Sequence, residues 1–148
     1  MTTIRPCDRN EICELHARYN HYMDAYDAEA FIELFTSDGS WELVGLEKHE
    51  GRVRLAGFID ELREATGEDR HHHCVFNEAI DVEGDRATAQ SYVMNWLFRS
   101  GEPPRLTAFG RYNDELRREG GKWRFVRRRL ECDWLERRDA AAAPTSRG

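Results

Sequence analysis

Residues 72–134 read HHCVFNEAIDVEGDRATAQSYVMNWLFRSGEPPRLTAFGRYNDELRREGGKWRFVRRRLECDW, and this stretch decides the fold. Four long strand-like runs stand out in it: His72 to Val82, Arg86 to Phe98, Leu106 to Arg118 and Lys122 to Trp134. Turn chemistry separates them. Glu83-Gly84-Asp85, the Gly101-to-Arg105 loop with Pro103 and Pro104, and Glu119-Gly120-Gly121 each fit a hairpin connection. Upstream the pattern changes to helical. Asp8 and Glu11 resemble a capping box, and Ile12, Leu15, Tyr19, Tyr22 and Met23 recur at helical spacing, predicting a helix from about Arg9 to Asp24. Asp27 can cap a second, short helix carrying Phe31, Ile32, Leu34 and Phe35, which Thr36-Ser37-Asp38-Gly39 breaks. Ser40 to Val44 reads as a short strand. Leu55, Phe58, Ile59 and Leu62 mark a third helix over Val53 to Ala65, with Gly67 as its stop. Helices first and then a run of antiparallel strands describe an α+β fold whose helices cover one face of a sheet.

The chain's 148 residues suit one domain over residues 1–137, and the Arg-, Asp- and Ala-rich tail over 138–148 is expected to be disordered. A net charge of -6 argues against nucleic acid, which calls for a basic surface. No apolar stretch approaches the roughly 20 residues that cross a bilayer. With no secretion-signal pattern at the N-terminus, a cytoplasmic location is expected and no membrane partner. Cys7, Cys13, Cys74 and Cys132 form no Cys-x-x-Cys pair and are expected to be small buried hydrophobes. Neither a phosphate loop nor a Gly-x-Ser-x-Gly elbow is present.

Three places could carry chemistry. Alternation along the last strand puts Arg128 among Val126, Leu130, Cys132 and Trp134, on an apolar face where a guanidinium needs a carboxylate or a substrate oxygen to meet it. Arg127 and Arg129 fall on the opposite, solvated face. Asp24 lies about 140° around the helix from the Leu15, Tyr19, Met23 stripe. That position favours water, but Cys13, Ala17, Asn20 and Asp24 make a second strip of mostly small residues against which another element could pack. Finally, His71-His72-His73 offers either a general base, which needs only an orienting carboxylate, or a metal site on His71 and His73. No matched ligand spacing elsewhere supports the metal, and residue physics alone does not choose.

Taken together, these segments resemble the SnoaL-like branch of the nuclear transport factor 2-like superfamily, from about Asn10 to Trp134. The marks are Tyr19-Asn20-His21-Tyr22-Met23-Asp24, the run from Leu34 to Trp41, Glu50-Gly51-Arg52, His73-x-x-x-Asn77, Gly110-x-Tyr112-x-Asp114-x-Leu116 and Gly121-x-Trp123-x-Phe125 closing on Arg128-Arg129. The resemblance implies a cone-shaped α+β barrel, with three helices packed on a strongly curved, mainly antiparallel sheet around one pocket. It also implies an enzyme without metal or organic cofactor, because the branch includes scytalone dehydratase, bile-acid 7α-dehydratase, γ-hexachlorocyclohexane dehydrochlorinase and polyketide cyclases. Their Asp–His pair matches Asp24 and His73, and their pocket arginine matches Arg128, with Arg129 one residue away. Tyr19 matches a pocket tyrosine of the bile-acid enzyme, and Trp41 a pocket tryptophan of the dehydrochlorinase. That enzyme has a lysine where this chain has Tyr19, which disfavours dehalogenation.

The activity implied is that of a lyase or isomerase, whether dehydratase, double-bond isomerase or cyclase, acting on a small hydrophobic polyketide-, steroid- or aromatic-like substrate. His73 would be the base, Asp24 its orienting partner, and Arg128 and Tyr19 the groups that meet the developing oxyanion. Trp41, Met94, Trp96 and Phe98 are the candidate pocket walls. The resemblance further implies a homo-oligomer, trimer or dimer. The alternative is a non-catalytic protein, either a small-molecule binder or an assembly subunit like the small subunits of ring-hydroxylating dioxygenases.

Overall fold

In the computed structural model, which describes residues 6–136, the elements are α1 (Pro6–Asp24), α2 (Ala28–Ile32), β1 (Phe35–Leu43), β2 (Glu47–Glu50), α3 (Arg52–Thr66), β3 (Arg70–Glu83), β4 (Arg86–Phe98), β5 (Arg105–Glu119) and β6 (Lys122–Leu135). The tail expected from Arg138 lies outside the described residues. The six strands form one sheet in the order β2-β1-β6-β5-β4-β3, antiparallel except where β1 runs parallel to β6. α1 packs on β3 and β6, and α3 on β1 and β2. The α+β class, the three helices and the curved, mainly antiparallel sheet agree with the expectation. The sheet is open rather than closed into a barrel, because β2 and β3 are its two edges.

Local chemistry accounts for most element ends. Asp27 caps α2 by accepting from the Ala30 N–H at 3.0 Å, and Gly67 ends α3 at φ 61. Asp8 behaves differently from a cap. It lies inside α1, buried, where it pairs with Arg118 and accepts from Trp123 Nε1 at 3.4 Å, fastening the helix start to β5 and β6. β1 begins at Phe35, five residues earlier than expected. The polar Thr36-Ser37-Asp38-Gly39 run is tolerated because β1 changes register against β6 between Phe35 and Ser40.

The core lies between the helices and the inner face of the sheet, with Tyr19, Phe31, Phe35, Leu55, Ile59 and Phe125 fully buried. Bulges decide which residues face inward. In β3, Asn77 adopts φ 55, and Asn77 and Glu78 together stand opposite Ser91. Inward residues are therefore His71, His73 and Val75 before the bulge, and Glu78, Ile80 and Val82 after it. In β6, Val126 and Asp133 are the extra residues. Arg128 faces inward as alternation predicts, but the buried residue before the first bulge is Phe125 rather than Val126, and Trp134 is turned outward and 47% exposed. The cysteines also differ from expectation. All four are free thiols, with Cys7 and Cys74 exposed and Cys13 and Cys132 half-buried.

Candidate active site

α1 ends at Asp24 beside the edge strand β3, whose outward backbone N–H groups lack a neighbouring strand. Asp24 supplies the missing acceptor. Its Oδ2 accepts from the His73 backbone N–H at 3.1 Å, while Oδ1 lies 2.6 Å from His73 Nδ1. Two contacts from one carboxylate hold both the main chain and the ring. The ring nitrogen facing a carboxylate carries the proton, which leaves Nε2 as the basic nitrogen. Both side chains are about 15% exposed, largely shielded but not sealed. His72 points away, 54% exposed, with its ring edge-on to Phe98 and its Nδ1 3.8 Å from Asp24.

His73 borders a cavity of about 660 Å³, inside the usual range for small-molecule sites. One transverse row of the sheet, His73, Asn95, Ala108 and Leu135, lines it, and Met23, Tyr26, Leu62 and Ala65 close it from the helix side. His71, Leu97 and Thr107 complete the inner wall. Charges gather at the rim, where Arg99 binds Asp69 at 2.7 Å and Arg105 binds Glu136 at 2.9 Å. The Asp69 carboxyl is held below its ordinary value, chiefly by that hydrogen bond from Arg99. A second depression, about 710 Å³, is lined largely by charged residues such as Asp81, Glu83, Arg86, Glu115 and Arg117 and holds no base or nucleophile pair. Among the described residues no group of three or more His, Cys, Asp or Glu side chains is placed to hold a metal ion.

Several residues expected in the pocket stand elsewhere. Arg128 is completely buried six residues further along the sheet, in the row Ile80, Ala89, Asp114, Arg128, Trp41. Its guanidinium lies 3.3 Å from Asp114 and within 3.6 to 4.6 Å of the ring centres of Tyr112, Tyr19 and Phe125. This is a structural ion pair within an aromatic cage, and it does not border the cavity. Tyr19 is equally sealed, its hydroxyl 3.5 Å from that of Tyr112, and burial raises the pKa of both phenols. Trp41 stacks on Phe58 at 4.6 Å, inside the core. Met94, Trp96 and Phe98 alternate with the cavity residues Asn95 and Leu97 and therefore face the opposite side of the sheet. They are half-buried there, not pocket walls. Arg129 lies off the inner face and binds Glu42 at 3.1 Å.

The sequence reading also missed a buried polar cluster. His16 is 1% exposed, with Nδ1 hydrogen-bonded to Glu78 and Nε2 3.2 Å from Asp114, so α1, β3, β5 and, through Arg128, β6 meet at one point. His16 holds Glu78 below the usual carboxylate range, and burial with the Glu78 hydrogen bond lifts the Cys13 thiol to about 11. Position 16, four residues after Ile12 and three before Tyr19, sits on the buried stripe of α1, and that was the available signal.

The open, curved α+β sheet, with a histidine–carboxylate pair at the wall of a cavity, is of the cystatin-like architecture. By its sequence the chain belongs to the SnoaL-like domain family, whose pattern matches residues 5–129. Among solved structures it is similar to a nuclear transport factor 2-like protein with a cystatin-like fold from Novosphingobium aromaticivorans, with 33% identity and a TM-score of 0.76 over 91% of this chain and 84% of that one. A variant of Rv3472, a protein of unknown function from Mycobacterium tuberculosis, is 29% identical with a TM-score of 0.79, covering 88% and 79%. A protein of unknown function from Nostoc punctiforme is 25% identical with a TM-score of 0.77, covering 89% and 96%. The curated proteins contain no match.

Proposed function

We propose that the chain is a cofactor-independent lyase or isomerase that moves a proton on a small hydrophobic substrate of the polyketide, steroid or aromatic kind. The observation that carries this reading is the 2.6 Å contact between Asp24 and His73 at the wall of the 660 Å³ cavity. His73 Nε2 acts as general base on a carbon next to a carbonyl, and Asp24 fixes the tautomer and favours the imidazolium that forms. The walls from Met23, Leu62, Leu97, Ala108 and Leu135 suit an apolar body. A simple probe tests the chemistry: 2-tetralone in D₂O, followed by proton NMR for loss of its α-hydrogens. His73→Ala is expected to lower the rate by about 10² to 10⁴. A folded His73→Ala protein that exchanges at the wild-type rate would end the proposal.

One further observation favours self-association. Phe76, Tyr92 and Phe109 cluster with ring centres 5.7 to 6.4 Å apart on the outer face, next to Met94, Trp96 and the exposed Trp134. An aromatic sheet face of this size suits an interface between copies of the chain.

A further inference from the structure

We propose that His71 is the second catalytic imidazole of the cavity, the donor that holds the substrate's carbonyl oxygen while His73 removes the neighbouring proton. The inference rests on the base role of His73 given above and names the substrate class more closely: a ketone or enone with an acidic α-hydrogen.

Three observations carry it. First, His71 and His73 lie on the same face of β3 and line the same cavity, with ring centres 6.4 Å apart. Hydrogen-bond legs of about 3 Å at each end let a C–C=O unit bridge two rings so placed. Second, a polar side chain meets the Nδ1 atom of each ring, leaving both Nε2 atoms for the substrate. Asp24 puts the proton of His73 on Nδ1, so its Nε2 is a base. For His71, both ends of the Asn95 amide meet Nδ1, Nδ2 at 3.0 Å and Oδ1 at 3.2 Å; with Nδ2 donating, the ring proton lies on Nε2. Asn95 is held in turn by the sheet, opposite His73 in register, with Thr107 Oγ1 donating to its backbone carbonyl at 3.1 Å. Third, the other oxyanion donors considered, Arg128 and Tyr19, are sealed in the core, whereas His71 borders the cavity.

The step is a proton shift with no change of oxidation state. His73 Nε2 takes the α-proton, the C–H pair becomes the C=C bond, and the carbonyl π pair moves to oxygen, where the charge meets the His71 Nε2–H. A substrate oxygen exchanges with whatever acceptor that N–H holds at rest. From the enolate, reprotonation elsewhere gives isomerisation, and loss of a β-hydroxyl, which takes the proton back from the His73 imidazolium and leaves as water, gives dehydration. Asn95 acts through His71 and is a positioning residue.

The test uses 2-naphthol as an enol mimic, titrated into the full-length protein by fluorescence. His71→Phe is expected to weaken binding roughly tenfold, the loss of one good hydrogen bond, with His73→Phe weakening it less. Asn95→Leu is expected to weaken it too, and ¹⁵N-imidazole NMR of the wild-type protein is expected to show His71 protonated on Nε2 and shifted by the ligand. That NMR measurement stands even if a variant fails to fold. Undiminished affinity in His71→Phe, a wild-type His71 protonated on Nδ1, or no 2-naphthol binding at all would overturn the proposal. Naphthol binding that depends on His71 without any His73-dependent exchange of 2-tetralone would sink the base reading alone.

Discussion

Glu78 illustrates how much one side chain depends on its surroundings. The bulge at Asn77 turns it inward onto His16, and that hydrogen bond, ahead of the opposing cost of partial burial, sets its lowered pKa. Below its ordinary value of 4.5 the unfolded chain takes up a proton that the folded chain refuses. The stability it contributes is complete above that value and disappears as the pH falls through the lowered folded-state pKa. Glu78→Gln is therefore expected to melt below the wild type at pH 7, with the gap closing towards pH 3. Thermal melts across that range check it, and a gap independent of pH would show that the carboxylate's charge plays no part. Arg128 makes a related point: an inward-facing arginine signals a buried counter-charge, and Asp114 supplies one at 3.3 Å.

At the scale of elements, the bulges govern the site more than the strands do. Gly110 sits at the β5–β6 irregularity where the chains approach so closely that an added Cβ would lie 2.4 Å from the Glu131 carbonyl oxygen. Gly110→Ala is expected to destabilise by about 1–3 kcal/mol, read from urea unfolding, since backbone rather than a flexible side chain must give way. A change under about 0.5 kcal/mol would mean that the bulge relaxes freely. These bulges also explain what was legible in the sequence. The four long runs and their turns give nearly the whole sheet, because period-two patterning survives over long strands. The assignment of faces fails wherever one residue is inserted: uninterrupted alternation puts Val126 and Trp134 inward, and the bulges turn them out. The expectation of Met94, Trp96 and Phe98 as pocket walls fails because apolar size looks alike on either face. β2 carries no apolar pattern, because Glu47–Glu50 is polar throughout and His49 is buried by stacking on Phe58 at 4.3 Å. The Asp24–His73 contact was not readable from the helical wheel, which turns Asp24 towards water. Only the family resemblance pointed to it, since the partner arrives from a strand 49 residues away.

At the scale of the whole molecule, an open sheet leaves one aromatic face that no other element among the described residues covers. Light scattering on the purified protein is expected to give the mass of two or three copies of the 17.3 kDa chain, and Phe109→Glu to lower it to one. A wild-type mass of one copy would exclude that assembly. No described helix is long and apolar enough to cross a membrane. The helices and the sheet together bring a carboxylate and an imidazole from distant segments to one partly shielded wall, and Asp24→Asn tests what that contact does. The amide keeps the shape but presents a donor or a weaker acceptor to His73 Nδ1, disturbing the tautomer that leaves Nε2 basic. α-Hydrogen exchange from 2-tetralone is expected to fall by about 10² to 10⁴ in a variant that still folds. Full-rate exchange in folded Asp24→Asn protein would contradict the account.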